Sequence, residues 1–264
     1  MRLLIIADIH GNRAALEALR ESYDVCVCLG DIVDYGPEPG PCVEWVRKNA
    51  AHCVRGNHDH GVAQDVAVQG IAGFRYLTAI TRPLSVAAIN SQQRRYLAEL
   101  PTSRMFSFGG KRFLIVHASP RDPMEEYAPP DPTFWEPRIV GLGVDYVLVG
   151  HTHQPYKLRV NGTTVINPGS IGLSRDGDPQ AAYAVIDDGE VQLKKILYPV
   201  EETVAAMEKA VEDETARQML TDIYRGGLYL AKWALGKNSL YTNGNGNGNG
   251  NGNGNGNGAK VCDE

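Results

Sequence analysis

Short apolar runs recur along the chain, and each stops abruptly at a polar cluster. LLIIA ends at Asp8, VCVCLG at Asp31, FLIV at His117 and YVLVG at His151. Runs of this length and β-branched content predict buried strands. The polar residues then project from carboxyl ends of strands, where open α/β sheets place ligand sites. Between the runs the period changes. Asn12 caps a helix reaching about Ser22, with Ala15, Leu16 and Leu19 on one face, so helix N-terminal amides stand beside Asp8 and can cradle a phosphate. A strand over 24–29 leads into the loop GDIVDYGPEPGP, a helix from about Pro41 to Ala50 and a strand over 52–55 that ends at GNHD. This βαβαβ alternation predicts a parallel core sheet with right-handed crossovers.

Residues 61–100 break the alternation. FRYLTAI and SVAAINSQQRRYLAEL read as helices interrupted at Pro83 and stopped before Pro101, an insert that starts just after Asp59 and can wall the site, with Arg94 and Arg95 on it. A hairpin over 104–116 turns at Gly109-Gly110. The Pro-rich stretch 118–137 reads as a long loop leaving His117, offering Arg121 to a phosphate and Tyr127 or Trp135 to a ring. Strands near 156–160, 163–166, 181–187 and 190–197 are expected to build a second, mostly antiparallel sheet, with NPGSIG (167–172) as a tight turn near the site. Residues 200–236 read as two helices split near Gly226-Gly227.

Composition narrows the class. The chain has 264 residues, 43% of them hydrophobic, enough for a substantial core. A net charge of −5 lacks the footprint of a nucleic-acid binder. The opening apolar run halts at Asp8, too short for a membrane span, which with Cys26, Cys28, Cys42 and Cys53 read as packed thiols predicts a cytoplasmic protein. Eight Asn-Gly pairs fill 243–258, with Cys262 beyond them. Such a repeat buries nothing and predicts a coil over 238–264 with a reach of roughly 20–25 Å. The expected organisation is one domain over 1–237, carrying the 61–100 insert and the 200–236 helices, followed by that tail.

The chemistry lies in the strand-end clusters. Of seven histidines, five (His10, His58, His117, His151, His153) fall in DIH, GNHD, LIVHA and GHTH. Carboxylate with imidazole suits Zn, Mn, Fe or Ni, and no cysteine stands at a cluster position, which argues against a thiolate zinc site. A metal pair about 3.5–4 Å apart needs a shared ligand, for which a carboxylate is suited, and Asp31 is the candidate.

DIH, GDIVD, GNHD, H and GHTH together resemble the motif series of the calcineurin-like metallophosphoesterases over about residues 1–197. The resemblance implies a four-layer α/β/β/α sandwich of two mixed sheets. It implies one metal on Asp8, His10, Asp31 and His153 and a second on Asp31, Asn57, His117 and His151. It makes His58 a substrate-facing histidine and Asp59 an orienting carboxylate. Asn12, Asn57, His58 and Arg121 are then the expected substrate contacts. The activity implied is hydrolysis of a small phosphate ester or nucleotide by in-line attack of a hydroxide held between the metals. Serine/threonine phosphatases and symmetrical dinucleoside tetraphosphatases carry GDxVDRG and GNHE, whereas Tyr35 and Asp59 stand here, which favours a phosphodiesterase of the small bacterial and archaeal type. The alternatives are a phosphomonoesterase or protein phosphatase, a dinucleoside polyphosphate hydrolase, and a non-catalytic scaffold on the same fold, which could dispense with histidines that are all present here.

Since a solvated coil makes few contacts, deleting residues 239–264 is expected to leave kcat and KM for small esters within about twofold of the full chain. A steady-state comparison of the two proteins checks this.

Overall fold

A computed structural model describes residues 1–228. The 238–264 coil, Cys262 and the end of the predicted second helix lie outside the described residues. Eighteen elements follow in order: β1 (Arg2–Ile6), α1 (Arg13–Ala18), β2 (Val25–Cys28), α2 (Pro39–Asn49), β3 (His52–Cys53), α3 (Asn57–Gln64), α4 (Gly73–Ala88), α5 (Ser91–Glu99), β4 (Ser103–Phe108), β5 (Lys111–Val116), α6 (Pro132–Ile139), β6 (Tyr146–Leu148), β7 (Tyr156–Val160), β8 (Thr163–Asn167), β9 (Ala181–Asp187), β10 (Glu190–Ile196), α7 (Val200–Ala210) and α8 (Glu214–Gly226). They form two mixed five-stranded sheets, ordered β10-β9-β1-β2-β3 and β4-β5-β6-β8-β7.

Alternation along β1 sets the layers. Leu3 and Ile5 face the second sheet, packing with Val27, Phe113, Ile115, Leu148 and Ile166 in the layer between the sheets. Leu4 and Ile6 face the other way, against Leu16 of α1, Val43 and Val46 of α2 and Leu97 of α5. The outer face of the second sheet is covered by α6, whose Trp135 and Ile139 pack on Leu114, Val147 and Val165. That is the α/β/β/α order expected. A third cluster joins Leu77 of α4 to Val204 and Met207 of α7 and Leu220 and Ile223 of α8, closing one end of the sandwich.

Several local expectations change. Strands β9 and β10 join the first sheet, β9 pairing antiparallel with β1, and only β7 and β8 join the second. The alternation of β9 is apolar on both faces, which suits a central strand and carries no label of sheet. Helix α4 runs unbroken through Pro83. A proline in a helix interior loses one backbone bond and crowds the preceding turn, a cost that the packing of α4 on α7 and α8 outweighs; the chain instead breaks at Ile89-Asn90, where Asn90 Oδ1 accepts from Gln92 N and Gln93 N. The 118–137 loop contains α6, capped by Asp131 on Thr133 N at 2.9 Å. The break between α7 and α8 falls at Val211–Asp213, with Asp213 Oδ1 capping Ala216 N, not at Gly226-Gly227, where α8 ends. GNHD opens helix α3 instead of closing a strand.

Candidate metal centre

The loops after β1, β2, β5 and β6 and the first turn of α3 meet at one edge of the sandwich. Asp8 N donates to Gly30 O and His10 N to Asp31 O, both at 3.0 Å, locking the first two loops together, and Gly150 N donates to His117 O at 2.8 Å, locking the other two. Seven residues of these loops, Asp8, His10, Asp31, Asp34, Tyr35, His151 and His153, have φ between 47° and 66°. Left-handed backbone is tolerated best by Asp, Asn and His among residues with a Cβ, yet still costs of order 1–3 kcal/mol each. Such clustering marks a place where side-chain direction outweighs backbone comfort. Gly56 allows a close approach: a Cβ there would lie 2.0 Å from Asp31 Oδ1.

Three histidines are held the same way. Nδ1 of His10 is 2.9 Å from Val33 O, that of His117 is 2.8 Å from Leu29 O and that of His153 is 2.5 Å from Leu173 O. A carbonyl only accepts, so each Nδ1 carries the proton and each Nε2 of the neutral ring presents a lone pair. Those lone pairs converge. His10 Nε2 lies 3.1 Å from His153 Nε2, and His153 Nε2 lies 3.4 Å from Asp8 Oδ1. His117 Nε2 lies 3.2 Å from Asp31 Oδ2 but makes no hydrogen bond, and Asn57 Oδ1 is likewise buried without a partner.

The result is two cation-sized groups, Asp8 with His10 and His153, and Asp31 with His117 and His151. Asp31 touches both: Oδ1 accepts from His58 N at 2.9 Å, leaving Oδ2 at 3.2 Å from His117 Nε2 and 3.8 Å from His10 Nε2. The electrostatics ask for positive charge. Burial and then the Asp31 charge push the Asp8 carboxyl up to about 7, although nearby cationic groups oppose them. Burial works to lower His117, but Asp31 outweighs it and lifts the ring to about 10. Burial holds His10 and His153 well below their ordinary value and takes His151 to about 3. The neutral rings of His10, His151 and His153 beside buried carboxylates, with His117 Nε2 and Asn57 Oδ1 buried and unpartnered, fit divalent metal ions.

The remaining predicted residues divide. His58 is buried at the rim, its Nδ1 2.7 Å from Asp34 Oδ2, and Arg82 Nε donates to the same oxygen at 2.6 Å. The carboxylate that orients His58 is therefore Asp34, which sequence reading passed over although it stands in GDIVD. Asp59 accepts from the backbone amides of Asp31, Ile32 and Gly56 at 2.8, 2.8 and 3.0 Å. It anchors the ligand loops and is fully buried. Asn12 is also fully buried and its amide is used up: Oδ1 accepts from Ala15 N and Thr203 Oγ1, and Nδ2 donates to Gly172 O. It shapes the Asp8 loop and does not face substrate. Arg121 is exposed on the loop after His117, with its backbone amide on Ser119 Oγ. Trp135 is in the core, its Nε1 on Pro129 O, while Tyr127 stays on the rim, 6.0 Å from the His151 ring. Arg94 donates from Nε to Ala63 O, tying α5 to α3.

An α/β/β/α sandwich with paired Asp/His clusters at its strand ends is a metallophosphoesterase architecture. The family model described as the calcineurin-like phosphoesterase superfamily domain matches residues 1–189, and the chain belongs to that superfamily. An uncharacterized protein of Methanocaldococcus jannaschii is 30% identical over 234 residues, covering 80% of this chain and 92% of its own. The crystal structure of a metallophosphoesterase from Sphaerobacter thermophilus is 30% identical with a TM-score of 0.74, covering 86% of this chain and 99% of that one. A hypothetical protein from Pyrococcus horikoshii shares the fold at 20% identity and a TM-score of 0.72, over 83% and 97% of the two chains.

Because Asp31 Oδ2 lies 3.2 Å from His117 Nε2 of its own group and 3.8 Å from His10 Nε2 of the other, Asp31→Asn is expected to remove at least one of two bound metal equivalents, with the circular dichroism of the fold kept. Emission spectroscopy on dialysed protein measures this, and two retained equivalents would contradict a shared ligand.

Proposed function

We propose that the protein is a dinuclear metal-dependent phosphodiesterase acting on a small phosphate ester or nucleotide, with Asp8, His10, Asp31 and His153 at one metal and Asp31, Asn57, His117 and His151 at the other. The observation that carries the reading is the Asp31 carboxylate, whose Oδ2 lies 3.2 Å from one group's His117 and 3.8 Å from the other group's His10. Divalent ions of Mn, Fe, Zn or Ni type held by these residues would supply positive charge for the phosphoryl oxygens and lower the pKa of water enough to give a nucleophile near neutral pH.

The chain's own part is orientation and proton handling. Burial opposes a proton on His58, but Asp31 and the hydrogen-bonded Asp34 outweigh it and raise the ring above its ordinary value. With Nδ1 held by Asp34, His58 Nε2 is the atom free to protonate a leaving oxygen; its neighbour, the Tyr35 hydroxyl, lies at a long 3.3 Å. Tyr35 is buried where the related phosphatases place an arginine, so no guanidinium enters from the GDIVDY loop. That favours a diester, which carries less charge than a monoester dianion. Among the described residues no helix is long and apolar enough to cross a membrane, and Cys26, Cys28, Cys42 and Cys53 are free and buried, in keeping with a cytoplasmic location.

The test is turnover of bis-p-nitrophenyl phosphate against p-nitrophenyl phosphate by the metal-loaded chain, and the diester is expected to be preferred. Preference for the monoester would overturn the diesterase reading, and no turnover of either would favour a scaffold. In the active enzyme, His58→Ala is expected to reduce turnover by about 10²–10⁴-fold for alkyl leaving groups and far less for nitrophenolate, which leaves unprotonated. Equal losses for both would remove the acid role.

A further inference from the structure

The segment after β8 is pressed onto the metal loop. Ser170 Oγ donates to Asp8 O at 2.7 Å and Gly172 N donates to the same oxygen at 3.0 Å. A Cβ on Gly172 would meet Ile9 O at 1.7 Å, so no other residue permits this approach. Leu173 O then fixes the His153 ring. Arg175 follows two residues later, its guanidinium carbon 3.8 Å from the centroid of the Phe74 ring, which itself packs edge-on against Tyr35 at 5.9 Å.

Arg175 follows the anchored residues Ser170, Gly172 and Leu173 and has an unspent head. Its acidic neighbours are engaged elsewhere: Asp176 and Asp178 pair with Lys195 at 2.7 and 3.1 Å. Among the described residues Arg175 has no hydrogen bond or ion pair, and its Nε is buried without a partner. A buried donor left without an acceptor is destabilising. Stacking on Phe74 holds the plane of the guanidinium and leaves its N–H edge free. The Phe74 and Tyr35 rings connect Arg175 to the metal pocket. The Tyr35 ring on which Phe74 packs lies 4.8 Å from the ring centroids of both His10 and His58, and Leu173, two residues before Arg175, holds the His153 ring.

We propose that Arg175, stacked on Phe74, is the phosphoryl-binding arginine of this site, gripping a non-bridging phosphate oxygen and supplying from the β8–β9 segment the guanidinium that Tyr35 cannot supply from the GDIVDY loop. The proposal rests on the phosphoester-hydrolase reading and is indifferent to whether diester or monoester is preferred. The planar fork suits phosphate oxygens in a way that a lysine ammonium does not.

The test is calorimetric binding of orthophosphate to the full chain loaded with divalent metal, a measurement that needs no turnover and stays legible if diester hydrolysis fails. Arg175→Gln is expected to weaken phosphate binding by about 10–100-fold, the size of a lost charge-assisted hydrogen-bond pair, with metal content and melting temperature kept. Arg175→Lys, which keeps the charge, is expected to recover only part of the loss. Affinity within twofold of the parent in either variant would overturn the proposal. So would loss of metal from both variants, which would make the guanidinium a structural prop, or a metal-loaded parent that takes up no phosphate.

Discussion

Three imidazoles whose Nδ1 protons are spent on backbone carbonyls define this molecule. Once Val33 O, Leu29 O and Leu173 O take those protons, the Nε2 lone pairs of His10, His117 and His153 are aimed at one another and at Asp8 and Asp31. Without cations that arrangement is repulsive and desolvated, and its backbone sits largely in the left-handed region. The two-sheet core supplies the stability that tolerates it. The His117 bond to Leu29 O is also a link between sheets, since His117 leaves β5 of the second sheet and Leu29 ends β2 of the first.

The periphery depends on the same centre. Asp59 accepts three amides so that the Asp31 and Asn57 loops can approach, and Gly56 makes room for them. Asp34 turns His58 toward the pocket and is itself held by Arg82 from α4, whose Ser85, Thr81 and Thr78 also hydrogen-bond the Asp34-Tyr35 loop, so the helical insert reaches the chemistry. The β8–β9 segment fixes His153 and carries Arg175. Each of these residues acts on the pocket through a named hydrogen bond or a stacked ring.

The ligand set and the parallel half of the first sheet were legible because strands ending in fixed polar clusters constrain both. Asp8, His10 and His153 converge, as do Asp31, His117 and His151, while Asn57 opens α3 with its Oδ1 buried and unpartnered. What escaped depends on partners distant in sequence. The sheet that β9 joins is decided by its pairing with β1, about 180 residues away in sequence, and nothing local to β9 encodes that. Pro83 looks like a break locally, yet α4 is held by packing on α7 and α8. Asn12, Asp59 and Asp34 had similar local claims to the site, and only their hydrogen-bond partners separate the loop anchors from the residue that orients His58. Arg175 carried a weak signal, a lone arginine just past NPGSIG, and its meaning came from Phe74 on another element.

The central claim is that the converging lone pairs are satisfied by two cations sharing Asp31. Anomalous diffraction at the metal absorption edge, from crystals of the metal-loaded full chain, tests it most directly. The account requires two anomalous peaks, one among Asp8, His10 and His153 and one among Asp31, Asn57, His117 and His151, with the Asp31 carboxylate between them. A single peak, or peaks away from these side chains, would contradict it.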